Sequence, residues 1–146
     1  MTRSAALGGT LLVLAIIDSA RSHRARIVGL RVIHLDDLTQ TQIPVTPAAL
    51  STWASVNHHH SNDPKLVDEA LARVASSRPV AIDSPLEVRW KLSFVDTHGT
   101  SLLDIYHESH EAYGYVDTER VRFEHDGIVT FLQERFGVHE RTLKSL

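Results

Sequence analysis

An alternating run of apolar and polar residues at 86–94 constrains the fold of this chain more than any other feature. Over the sequence LEVRWKLSF, five apolar side chains are separated by single polar or charged ones. Successive side chains of a strand point to opposite faces of a sheet, so this period of two buries one face and exposes the other. The run predicts a strand of an antiparallel sheet and places Trp90 in its core.

Four further segments are predicted to be strands from their composition or alternation. Residues 26–35 are rich in valine, isoleucine and leucine, and residues 101–107 return after a turn in which Gly99 supplies a positive φ. Residues 120–124 alternate again. Residues 40–45 form a weaker strand, because a proline within it restricts it to an edge or an end of the sheet.

Helix starts are marked twice by a capping residue followed at once by proline, at Thr46 and at Asp63. Apolar residues at helical spacing follow both caps, which predicts helices over residues 47–56 and 64–76. A third helix is predicted over residues 126–136, with an aspartate at its start and a glycine directly after its end.

Together these elements predict an α+β fold in a single domain of residues 21–146. The expected architecture is a mainly antiparallel sheet of about four to five strands with three short helices packed on one face. The predicted order of elements is β-β-α-α-(β)-β-β-β-α, in which the bracketed strand is the least defined.

Residues 1–20 form a separate apolar segment. The uncharged run at 5–17 follows Arg3, and this arrangement is typical of an export signal. Asp18 would lie three residues before a cleavage site after Ala20, where a small neutral residue is preferred. The run is also shorter than the roughly 20 apolar residues that a membrane-spanning helix needs. Three alternatives stay open: a cleaved export signal, an uncleaved anchor, and a helix or strand of the core.

The segment predicts a location at the cell envelope, either exported to the periplasm or anchored in the inner membrane. Membrane association would involve residues 4–20. Three arginines, Arg21, Arg24 and Arg26, follow the run, and basic residues favour the cytoplasmic side of an uncleaved anchor. A domain that faces the cytoplasm therefore stays open as well.

Composition excludes several classes of function. The 146 residues include no cysteine, which removes disulfides, thiolate nucleophiles and cysteine-bound zinc. The formal net charge of −3 argues against a nucleic-acid partner, which normally requires a basic face. No G-x-S-x-G elbow, P-loop or dinucleotide-binding motif occurs. We therefore predict no cofactor and favour a non-enzymatic protein.

Histidine is enriched, with ten residues, and two groups invite a metal interpretation. The tract 58–60 is predicted to be a solvated polar loop between two helices, without stoichiometric zinc. His107 and His110 are three residues apart rather than the four that place both histidines of a zincin helix on one face. A looser site of His107, His110 and Asp104 is the basis of the alternative function, a small metal-dependent hydrolase or metal-binding protein.

The segment Tyr113-Gly114-Tyr115 is predicted to be an exposed connection between strands. With Glu108 and Glu111 nearby, the two tyrosines would form a contact loop for a protein partner that carries a basic patch. The alternative is that both rings pack over the rim of the sheet. The favoured function is a non-enzymatic binding or accessory protein of the cell envelope, either an inhibitor or immunity-type binder or a subunit of a larger assembly.

Overall fold

A computed structural model describes residues 2–35, 45–52, 57–80, 86–108, 113–123 and 128–136, and only the backbone of residues 2–11 and 57. The fold is α+β, with four helices and seven strands in the described part of the chain. The helices are α1 Thr2–Ser22, α2 Pro47–Thr52, α3 Pro64–Val74 and α4 Val129–Phe136. The strands are β1 Gly29–His34, β2 Asn57–Ser61, β3 Arg78–Pro79, β4 Trp90–Val95, β5 Ser101–His107, β6 Tyr113–Val116 and β7 Glu119–Arg122.

The strands form one antiparallel sheet in the order β2-β1-β4-β5-β6-β7-β3. Strands β4 to β7 follow one another as hairpins, whereas β1 pairs with β4 across a long stretch of sequence. The sheet is larger than the four to five strands predicted, because β2 and β6 were not predicted and β3 matches only the bracketed strand, which had no defined residues. The strand predicted at 40–45 lies outside the described residues, except for Val45, which belongs to no strand.

One face of the sheet carries α1, α3 and α4, and we call it the helix face. Its large residues are almost fully buried, and Trp90 has no exposed surface, which confirms the predicted core position. The buried residues of this layer include Val13, Ile17, Ala20, Val67, Ala70, Leu71, Val74, Leu30, Val32, Trp90, Leu92, Phe94, Leu103, Ile105, Val116, Val121, Phe131 and Leu132.

The opposite face, which we call the second face, is covered in part by α2. Leu50 of α2 is fully buried there and belongs to one apolar cluster with Ile33 and Tyr106. The prediction placed the helix at 47–56 on the same face as the other two, and this is wrong. The third helix on the helix face is instead α1, whose apolar residues pack in the same core as those of α3 and α4.

The strand predicted over 86–94 begins only at Trp90. Val88 belongs to the apolar cluster of the second face, whereas Trp90 belongs to the core of the helix face. The alternation predicted for the run therefore breaks between these two residues, where Arg89 N donates to the carbonyl of His107 at 3.0 Å. The single buried face predicted for the whole run is corrected to a strand that begins at Trp90.

The capping and turn signals in the sequence act as predicted. Thr46 Oγ1 accepts a hydrogen bond from Ala49 N at 3.1 Å, and Asp63 Oδ1 accepts one from Lys65 N at 3.0 Å. Gly99 closes the β4–β5 turn with a φ of 76°. The two caps accept hydrogen bonds from backbone N–H groups that have no partner within the helix. Glycine adopts the positive φ of the turn without steric cost.

Helix α1 packs on the sheet through one side only. Val13, Ile17 and Ala20 are buried in the core of the helix face, whereas Leu12 and Leu14 are 46% and 50% exposed. Among the described residues, no helix combines the length and apolarity needed to cross a bilayer. The buried side of α1 therefore forms part of the core of the helix face.

Truncation of Trp90 tests the register of β4. We expect Trp90→Ala to lower the free energy of unfolding by about 3–5 kcal/mol, because it leaves a cavity in the fully packed helix face. Chemical denaturation checks the value, with the smaller change Trp90→Phe as a comparison. A loss below about 1 kcal/mol would place Trp90 outside the core.

Paired truncations on α1 test whether this helix belongs to the core. Ile17→Ala should cost about 2–5 kcal/mol of stability, since Ile17 is buried among sheet residues. Leu14→Ala removes an exposed side chain of similar size from the same helix and should change stability by no more than about 0.5 kcal/mol. Equal effects of the two substitutions would argue that α1 does not pack on the sheet.

Candidate functional site

The predicted contact segment Tyr113–Tyr115 lies in strand β6 and not in a connecting loop. Tyr113 pairs with Arg122 of β7, and Tyr115 pairs with Arg120. Gly114, between the tyrosines, is buried on the helix face. The loop prediction is therefore corrected, and both tyrosines share the second face with the two arginines.

The glycine of this segment has a steric role. A β-carbon at Gly114 would overlap the backbone carbonyl of Tyr106 on β5 and would crowd the ring of Phe123. The close approach of β5 and β6 therefore requires glycine, which has no side chain to accommodate. The glycine of the Tyr-Gly-Tyr motif is therefore required by the packing of β6 against β5.

Tyr115 is fixed by contacts within the second face. Its ring meets that of Tyr106 edge-on, with centroids 6.4 Å apart, and its hydroxyl accepts a hydrogen bond from Leu86 N at 3.2 Å. Lys91 Nζ lies 5.5 Å from the centroid of Tyr106 and donates to Ser51 Oγ of α2. The contacts of Tyr115 are those expected for packing over the sheet.

Among the described residues around Tyr113, basic side chains outnumber acidic ones. We define the Tyr113 surface as the neighbouring residues that the strand register places on the second face, namely Arg78, Glu108, Tyr113, Arg120 and Arg122. Arg122 is exposed, and Tyr113 and Arg120 are partly buried. Within the described residues, neither Arg120 nor Arg122 forms an ion pair. Glu108 N donates to the carbonyl of Tyr113 at 3.1 Å, so Glu108 lies beside the tyrosine.

The structure brings together three of the four predicted interface residues, Glu108, Tyr113 and Tyr115. Glu111 lies outside the described residues. Arg120 and Arg122 were not predicted to belong to this surface. Their alternation with buried Val121 was visible, but their position beside the tyrosines depends on the β6–β7 register.

Two residues of the alternative metal site, Asp104 and His107, lie on opposite faces of the sheet. Asp104 is on the second face, where its Oδ1 accepts hydrogen bonds from Ser93 at 2.7 Å and from Ser101 at 2.6 Å. His107 is buried on the helix face, where it stacks on Phe123 with centroids 4.9 Å apart. His110 lies outside the described residues. No group of three or more metal-ligating side chains occurs in the described segments.

The histidine tract forms strand β2 at the edge of the sheet, so its assignment to a loop is corrected. His58 and His60 are exposed, whereas His59 points to the helix face, where its ring lies 6.4 Å from that of Phe136. The register pairs the tract with Arg31–Ile33 of β1. Because neighbouring residues of a strand face opposite sides, the three imidazoles do not converge on one point.

A row of three buried rings crosses the helix face. His34, Trp90 and His107 are register neighbours on β1, β4 and β5. The rings of His34 and Trp90 are stacked with centroids 3.9 Å apart. No sequence pattern predicts this row, because the three residues are far apart in the chain and meet only through the strand register.

Asp117 occupies the turn between β6 and β7 with a φ of 52°, a conformation that aspartate and asparagine tolerate better than most residues. Its N–H donates to the Asp104 carbonyl at 2.7 Å, and its Oδ1 accepts from Asp104 N at 3.0 Å. Burial raises the pKa of Asp117 above 3.8, and the charge of Asp104 adds to this effect.

Comparison with models of protein families, with curated proteins and with solved structures finds no match for this chain.

Neutralisation of Asp117 should make the protein more stable at neutral pH. A carboxyl whose pKa is raised in the fold favours folding below its unfolded pKa of about 3.8, and this contribution is lost as the pH rises through the folded value. Asp117→Asn keeps the acceptor oxygen and tolerates the positive φ, but it removes the charge. We expect a higher denaturation midpoint than wild type at pH 7, with the difference shrinking toward pH 4.

The control for this experiment is Asp18→Asn, which removes the same charge from an exposed position on α1. Its stability difference from wild type should not show the same pH dependence. A lower midpoint for Asp117→Asn at pH 7 would mean that the charged carboxylate stabilises the turn.

Proposed function

We propose that this protein is a non-enzymatic binding or accessory protein, and that the Tyr113 surface holds an acidic segment of a protein partner. The observation that carries the proposal is the pairing of Tyr113 with Arg122, beside Arg120, on a rigid antiparallel sheet. Among the described residues these two guanidinium groups form no ion pair, so carboxylates of a partner are their natural complement.

The residue types of the Tyr113 surface suit protein recognition. Tyrosine and arginine are enriched among the residues that dominate binding energy at protein interfaces. Arginine forms paired hydrogen bonds with carboxylates, and tyrosine offers a large contact area with little conformational entropy to lose. Because both residues stand on paired strands, their positions are set before the partner binds, which lowers the entropic cost of association.

The charge of this surface changes the expected chemistry of the partner. Glu108 and Glu111 in the sequence predicted a partner with a basic patch. Within the described residues the Tyr113 surface contains three arginines and one glutamate, since the register adds Arg78, Arg120 and Arg122 to Glu108. An acidic partner complements this surface better, and association should therefore weaken with added salt.

We extend the proposal to a role at the cell envelope, as an inhibitor, an immunity-type binder or a subunit of a larger assembly. Its support is the uncharged run at 5–17 that follows Arg3. The proposal concerns the form that retains α1, because Val13, Ile17 and Ala20 pack in the core of the helix face. The native N-terminal residue, determined in separated membrane and soluble fractions, tests this part.

Site-specific photo-crosslinking at position 113 tests the interface and identifies the partner. A photoreactive phenylalanine derivative in place of Tyr113 should crosslink to an acidic segment, whereas the same group at exposed Lys65 on α3 should not. With the partner in hand, Tyr113→Ala should weaken binding by about 1–4 kcal/mol. Arg122→Glu should weaken it further by reversing the charge.

Two control variants separate recognition from stability. Tyr115→Ala should lower the melting temperature, because it removes the contacts with Tyr106 and Leu86. Arg21→Glu makes the same charge change as Arg122→Glu at an exposed position on α1 and should leave binding unchanged. Crosslinking at 113 to nucleic acid, or unchanged binding of folded Tyr113→Ala, would overturn the proposal.

A further inference from the structure

A groove runs between α1, the start of β5 and the β6–β7 turn. Its volume is about 360 Å³, within the range of small-molecule sites. Ile16, Ile27 and Leu102 supply an apolar floor, and Ser19 is one of several small residues on the α1 side that leave the space open. The groove is thus shaped for a compact apolar body.

Two hydrogen-bond acceptors line the same groove, His23 and Asp117. His23 Nδ1 lies 2.8 Å from the carbonyl oxygen of Ser19, so Nδ1 must carry the hydrogen. The other nitrogen of the neutral imidazole, Nε2, is then an acceptor. The carboxylate of Asp117 is the second acceptor, and a ligand that fits this pair has to donate hydrogen bonds.

Charge favours a cationic donor. Asp117 is partly buried, and its carboxylate faces the like charge of Asp104, which together raise its pKa. A positive group in the groove would offset both effects. Arg26 also lines the groove, so the proposed preference for a cation depends on the acceptor pair Asp117 and His23 and not on the total charge of the lining.

We propose that this groove binds a small primary amine with a compact apolar body. The ammonium group would donate to Asp117 and to His23 Nε2, and the apolar body would lie on Ile16, Ile27 and Leu102. This site is independent of the Tyr113 surface. The groove lies beside α1 and the β6–β7 turn, whereas Tyr113 lies at the other end of β6, on the second face.

Calorimetric titration with 2-phenylethylamine tests the ligand class, with 3-phenylpropionate as a probe of similar shape and opposite charge. We expect saturable binding of the amine and none of the acid. Amide shifts in NMR spectra should change at residues 15–27, 102 and 117 on titration and should leave Tyr113 and Arg122 unaffected.

Two substitutions locate the site. Asp117→Asn should weaken amine binding by about 10- to 100-fold, because a hydrogen bond between charged groups is lost while the turn is kept. Ser19→Leu should block the groove with a larger side chain on an exposed helix position, with a loss of similar size. Asp18→Asn removes a charge from the same helix outside the groove and should bind the amine as the wild type does.

Circular dichroism of each variant separates lost binding from lost folding, and only folded variants are compared. Failure of the amine to bind wild-type protein would overturn the proposal. Stronger binding of the acid would assign the opposite ligand class, and it would overturn the proposal as well. Amine binding that survives both Asp117→Asn and Ser19→Leu would show that the contact lies elsewhere.

Discussion

The pairing of β4 between β1 and β5 is the constraint on which the rest of the molecule depends. Trp90, Leu92 and Phe94 alternate along β4 and are fully buried, so three helices find a continuous apolar surface to cover. A shift of the register by one residue would turn all three side chains to the second face. This alternation begins at Trp90, because Val88, two residues earlier, packs in the apolar cluster of the second face.

The two faces of the sheet have different physical characters as a result. The described residues of the helix face are mostly apolar and buried under the helices, so few of their polar groups can contact a partner. On the second face, α2 packs in the apolar cluster that contains Tyr106. Tyr115 and Lys91 pack against the ring of Tyr106. Beyond that cluster the strands present tyrosine and arginine side chains. Of the described helices, only α2 contributes to the apolar cluster of the second face, and Tyr113 of the proposed interface lies outside that cluster.

Helix α1 connects the core with the proposed amine site. Its buried side holds Val13 and Ile17 against the sheet, which fixes the position of the neighbouring side that lines the groove. The opposite wall is fixed by the hydrogen bonds between Asp104 and Asp117. A site built between two such anchored walls keeps its shape without a ligand, which is the usual property of small-molecule sites.

The amino-acid sequence by itself determined the local structure. The alternation around Trp90, the caps at Thr46 and Asp63 and the turn at Gly99 each follow from contacts within a few residues. They fixed the α+β class and most of the helices and strands.

Tertiary structure decided what depends on distant partners. The strand identity of β2 and β6 required neighbours that bury or pair them, since polar histidines and a central glycine are poor strand formers in isolation. The face on which α2 and α1 pack depended on where apolar surface remained open. Arg120 and Arg122 lie beside Tyr113 because the register of the β6–β7 hairpin brings them together. Asp117 and His23 line the same groove because α1 packs over the sheet.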